Sequence, residues 1–118
     1  MKEALFHPAA RRAIRSFPKE VRRELGKAIF DLQSGTVLSM PLSRPMPSVA
    51  PGAEELRLRD RTGIYRAFYY AKCSRGILIF HAFIKKSQAT PQPEMKLGAK
   101  RLQEMLDEIQ TGGHPYGR

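Results

Sequence analysis

Cysteine occurs once in this sequence, at Cys73. A single cysteine excludes an intramolecular disulfide and is compatible with a reducing compartment. No apolar run approaches the roughly eighteen residues needed to span a bilayer, and the N-terminus lacks the apolar core of a signal peptide. No membrane partner is expected, and the chain reads as cytoplasmic. His7, His81, His114 and Cys73 lie far apart, with no CxxC, HxxxH or paired-carboxylate spacing, so neither a metal site nor another cofactor is expected. GxSxG, P-loop and GxGxxG strings are missing as well, which removes support for a hydrolase elbow or a nucleotide cradle. Acidic residues are the other shortage. Eleven Asp and Glu stand against twenty-one Lys and Arg, a formal charge of +10 and a pI near 10.3. A small domain this basic suits a polyanion, because each phosphate contact releases a counterion. An anionic membrane, an acidic protein partner or a merely solvated basic surface fits the same number.

With 118 residues the chain is expected to form one domain over 1–118, burying roughly two-thirds of its unfolded surface. Ala4-Leu5-Phe6 is a short apolar start that can supply an edge strand. Pro8 opens a first helix, in which Ala10, Ala13, Ile14 and Phe17 recur at helical spacing while Arg11, Arg12 and Arg15 face out. Pro18 ends it. A second helix runs from Lys19 to about Ser34 with a stripe of Val21, Leu25, Ala28, Ile29 and Leu32, and Gly35 stops it. From Thr36 to Gly52 the prolines at 41, 45, 47 and 51 predict a loop without regular structure, wrapped over the core.

Three strands follow. Glu54 to Arg59 alternates, with Leu56 and Leu58 on one face and Glu55, Arg57 and Arg59 on the other. Asp60-Arg61-Thr62-Gly63 is a tight turn into an aromatic strand, Ile64 to Lys72. After Cys73-Ser74-Arg75-Gly76, the unbroken apolar run Ile77 to Ile84 predicts a central strand covered on both faces. Lys85 to Pro93 is a polar loop, and a last helix buries Met95, Ala99, Leu102, Met105, Leu106 and Ile109, with 110–118 as a flexible tail. The order (β)ααβββα predicts an α+β domain: a helical pair on one face of a small curved antiparallel sheet of three to four strands, plus a C-terminal helix.

The strand cations carry the functional signal. Arg57 and Arg59 share a face, and the hairpin offers Arg66 as a third guanidinium within reach of one phosphate. Like charges opposite each other destabilise a sheet, so an anion or the carboxylates of Glu54, Glu55 and Asp60 must compensate. If the anion is RNA phosphate, metal-free cleavage needs a proton acceptor for the 2′-OH, stabilisation of the phosphorane and a proton donor for the leaving oxygen. Guanidinium forks suit the second task. A lysine crowded by cations has a depressed pKa and can assist with protons. His81 is a general base by type, but within ILIFHAF a hydrogen-bonded core histidine is the expected reading. Arg61 in the turn, and Gln88 and Thr90 in the loop, are candidate RNA contacts; Thr90 and Gln88 can equally cap the final helix.

The strings PMPSVAPGAEELRLRDRTGIYRAFYY and ILIFHAFIKKSQATPQPEMKLGAKRL resemble RelE/ParE-superfamily toxins, in particular their phage-derived HigB-type branch. The resemblance implies helices packed on a curved antiparallel sheet and a cognate antitoxin, usually a small helix-turn-helix protein. RelE- and HigB-like members imply ribosome-dependent, metal-independent cleavage of mRNA, whereas ParE-like members poison DNA gyrase. Matched by position, Arg57, Arg59, Arg66, Lys85 and Lys86 take the family's cationic site; Arg57, Arg59, Arg66 and Lys86 are the expected catalytic residues, and Lys85 joins the candidate RNA contacts Arg61, Gln88 and Thr90. The chain departs from the branch at Ala89, where a lysine is usual, and Tyr116 has no clear place in the terminal pattern. A gyrase inhibitor and a non-catalytic RNA- or ribosome-binding module stay open as alternatives.

Overall fold

The computed structural model describes residues 1–86 and 89–113. Its elements are β1 (Ala4–Phe6), α1 (Pro8–Arg15), α2 (Lys19–Gln33), β2 (Ser43–Pro45), β3 (Ala53–Asp60), β4 (Gly63–Cys73), β5 (Gly76–Lys85) and α3 (Gln92–Gln110). The strands form one mixed sheet in the order β1-β5-β4-β3-β2. β3, β4 and β5 make an antiparallel meander, while β1 adds in parallel to β5. As its sequence predicts, β5 is an inner strand, and every residue in it but Ile84 is buried.

Three expectations are corrected. The sheet has five strands rather than three or four, and β1 makes it mixed. The proline-rich segment contains a strand after all: β2 pairs with β3 through Ser43↔Leu56, Arg44↔Glu55 and Pro45↔Glu54. Pro45 is tolerated because β2 lies at the sheet edge, where a missing N–H breaks no inner ladder. Buried Ser43 ties the strand down by a 2.6 Å hydrogen bond to the Tyr69 hydroxyl, and burial pushes that phenol up to about 12. The helices, finally, are not confined to one side.

Alternation along the strands separates two cores. Leu56, Leu58, Tyr65, Ala67, Tyr69, Ile77 and Ile79 face the α2 stripe of Val21, Leu25, Ala28, Ile29 and Leu32. Phe68, Leu78, Phe80 and Phe83 face the opposite way, against Leu102 and Met105 of α3, with Met46 and Val49 from the segment before β3 completing the cover. Gly98 brings α3 onto this face. A Cβ there would stand 2.7 Å from the Phe68 ring, closer than atoms pack.

Candidate functional site

The Asp60↔Gly63 turn fixes the β3–β4 register and places Arg57 directly opposite Arg66, with Arg59 opposite Ile64. Ile64 in turn lies opposite Lys85 of β5. By strand alternation these cations share the sheet face that α3 partly covers. Two guanidiniums facing each other across a ladder repel. The compensating group is Glu55, two residues before Arg57 and fully buried. Its Oε1 lies 3.3 Å from Arg44 Nη2 and 3.7 Å from Arg66 Nε. Its Oε2 accepts a 3.0 Å hydrogen bond from Thr90 Oγ1. Arg66 Nη1 donates to the Tyr65 carbonyl at 3.2 Å.

The compensation is incomplete. Among the described residues the Nε–H groups of Arg44, Arg57 and Arg66 are buried without a hydrogen-bond acceptor. A buried unmatched donor costs about 1–3 kcal/mol, more for a charged group, so three of them around one carboxylate leave donor capacity for a further acceptor.

Beyond Leu56 the outer edge of β3 is no longer paired to β2, and a groove of about 780 Å³ opens around it. Arg57, Arg59, Arg66, Lys85 and Lys27 line it, with Glu24 and Asp31 of α2 as the carboxylates and Leu42, Leu58 and Ile64 among the apolar wall. Lys27 and Asp31 form an ion pair at 3.5 Å along the helix. The net lining is cationic. Burial lowers the Lys85 pKa, and the charges of Arg66, Arg57 and Arg44 lower it further against the pull of Glu55. Burial likewise lowers that of Arg66, with Glu55 opposing. Planar guanidiniums beside a partly desolvated amine can grip an oxyanion and exchange a proton with a group bound to it. No group of three or more His, Cys, Asp or Glu among the described residues is placed to hold a metal ion.

Of the residues picked out in the sequence, Arg57, Arg59, Arg66 and Lys85 line one groove. Lys86 lies past the end of β5, exposed and outside that lining, and Arg61 is exposed at the hairpin turn. Thr90 neither caps α3, whose N-cap is Pro91, nor lines the groove; it steadies Glu55. Gln88 and Tyr116 lie outside the described residues. His81 is the core histidine that its surroundings predict. Glu94 Oε1 lies 2.7 Å from Nε2 and Arg101 Nη1 lies 2.7 Å from Nδ1. Arginine has only hydrogens to give, so Nδ1 accepts and Nε2–H donates to Glu94; the ring is neutral. Burial lowers its pKa accordingly. Sequence reasoning missed Arg44 because three residues of edge strand amid prolines show no periodicity. It missed the α2 wall because Glu24, Lys27 and Asp31 read as an ordinary solvated helix face.

A mixed sheet with a basic groove at its β3–β4 hairpin defines a small α+β protein. The chain belongs to the phage-derived protein Gp49-like family (DUF891), whose model matches residues 12–103. That family is associated with RelE-like toxins of toxin–antitoxin systems. No curated protein matches the chain. None of the helices among the described residues is long and apolar enough to cross a membrane.

Proposed function

We propose that this protein is the toxin of a toxin–antitoxin pair, a HigB-type endoribonuclease that cuts mRNA on the ribosome without a metal and is neutralised by a cognate antitoxin. The observation that carries the reading is the Arg57–Arg66 pair: the two arginines sit opposite each other in the β3–β4 ladder and both line the cationic groove, with Nε–H donors left over. A phosphodiester at that place accepts from both forks. The 2′-oxygen attacks phosphorus, the P–O5′ bond breaks, and a 2′,3′-cyclic phosphate and a 5′-OH result. Arg57, Arg59 and Arg66 stabilise the extra negative charge of the phosphorane, the step in which fixed donors are worth most. Lys85, the amine in the groove whose pKa is lowered, takes the 2′-OH proton when neutral, and the departing 5′-oxygen receives a proton from the ammonium so formed or from solvent. Lys86, exposed just past the end of β5, binds a neighbouring phosphate as a point charge.

Inducing the wild-type chain and Arg57→Ala in bacteria, with mapping of RNA 5′ ends, tests this. Arrest with new 5′-OH ends inside translated frames is expected for the wild type and at least 100-fold fewer ends for Arg57→Ala. Arrest by both chains with no new ends, together with inhibited supercoiling, would move the protein to gyrase poisoning.

A further inference from the structure

A second cationic pocket, of about 290 Å³, lies between β1, α1 and α2 and is lined by Phe6, Arg11, Ile14, Arg15 and Arg22. It is separate from the groove, whose α2 wall begins at Glu24: at 100° per residue Arg22 and Glu24 point roughly 200° apart, to opposite flanks of α2. The pocket has no acidic lining. Helix α1, PAARRAIR, contains no carboxylate. Neither Arg15 nor Arg22 forms an ion pair among the described residues, whereas the neighbouring Arg23 has Glu20 at 3.8 Å. Two features order the cations. The Arg11 guanidinium sits 5.2 Å over the Phe6 ring, and Arg22 Nε donates to the Phe17 carbonyl at 3.1 Å, so both are oriented before any ligand arrives.

We propose that this pocket is a second RNA site that holds backbone phosphates of structured RNA, distinct from the groove. Arginines rather than lysines line it, which suits the paired oxygens of a phosphate. A membrane surface or an acidic protein segment would need apolar residues exposed beside the charge. The exposed large hydrophobics, Met1, Phe30, Val37, Met40, Ile84 and Leu97, include none from α1 or the pocket. The site does not depend on the groove being catalytic: a chain that cuts nothing can still bind RNA here.

The test measures binding of a blunt 2′-O-methyl RNA hairpin across salt concentrations to the full wild-type chain, Arg15→Gln, Arg15→Gln/Arg22→Gln and the groove variant Arg57→Ala/Arg59→Ala. The double pocket variant is expected to lose about tenfold in affinity and to lower the slope of log K against log salt by about one to two, since each phosphate contact contributes nearly one. The loss should add to that of the groove variant, as for independent sites. Arg15→Gln alone, on an exposed side chain with no ion pair among the described residues, should give about half the slope change and keeps the test valid if Arg22→Gln impairs folding. An unchanged slope in the pocket variants overturns the proposal, as does a loss confined to binding of phosphatidylserine vesicles. Growth arrest without new RNA ends would sink the nuclease reading and leave these slopes as they are.

Discussion

Two buried polar clusters share one face of the sheet, and they are built on opposite principles. Around His81 the arithmetic closes: the neutral ring gives one hydrogen to Glu94 and takes one from Arg101, both at 2.7 Å, and Phe68 and Phe83 seal it with ring centroids 5.4 Å away. Around Glu55 it does not close. One carboxylate serves Arg44 and Arg66, with Arg57, Arg59 and Lys85 close by, and three buried Nε–H donors keep no acceptor. A satisfied network rigidifies a core, and an incompletely satisfied one is a cost unless something else completes it. The first cluster ties α3 to the sheet; the second keeps unmatched donors beside the groove, and the proposed function assigns them to an anion.

The largest effect should come from removing the one compensating charge. Glu55→Ala leaves Arg66 buried without a counter-ion, and breaking such a pair costs about 3–5 kcal/mol; urea unfolding should show a loss of about 3, since Arg44 is partly solvated and recovers some hydration. Glu55→Ala combined with Arg66→Met should regain most of it. If Glu55→Ala alone costs under 1 kcal/mol, the carboxylate is not what makes the arginine pair tolerable.

Next comes the seal on the closed cluster. Gly98→Ala gains about 1 kcal/mol of helix propensity but drives a methyl into Phe68, itself locked against Phe80, His81 and Phe83. Overpacking of a filled core costs about 1–3 kcal/mol, so the net should be a loss of up to about 2 kcal/mol in thermal unfolding.

The closed cluster also predicts a pH dependence. His81 is held neutral by burial, with Arg101 on Nδ1, Glu94 on Nε2 and His7 beyond. Its folded pKa therefore lies below the ordinary 6.5, and the unfolded chain binds the proton first. This contribution is complete above pH 6.5 and is lost as pH falls from there through the folded pKa. Melting temperature should drop between pH 7.5 and 5, and His81→Gln should flatten that drop. The smallest effect is expected at the turn: Arg61→Ala, exposed and outside the groove, should change stability by less than about 0.5 kcal/mol and RNA cleavage by less than about threefold.

How much of this was legible in the sequence depends on which physical signal each part leaves. The hairpin was, because a two-residue turn at Arg61-Thr62 fixes register, and register decides that Arg57 meets Arg66. The existence of β5 was legible from its apolar run, but its phase was not. A register shift between Phe68 and Tyr69 in the β4–β5 ladder changes which residues face α3, so Lys85 and Lys86 cannot be told apart by counting. Lys85 is the one in the groove. The amphipathic stripe of α3 says that one side is buried without saying on which face of the sheet, and hence the two-sided arrangement was missed. Arg44 left no trace at all, since only pairing with β3 makes SRP a strand.

The central claim is that the uncompensated cluster holds RNA phosphate while the compensated one does not. Titrating a single-stranded 2′-O-methyl RNA into the protein while following the arginine Nε–H and histidine ring resonances by NMR tests it most directly. The Arg57 and Arg66 Nε–H signals should shift and broaden on saturation, with the His81 ring unmoved. Shifts at His81 with Arg57 and Arg66 unchanged would contradict the account.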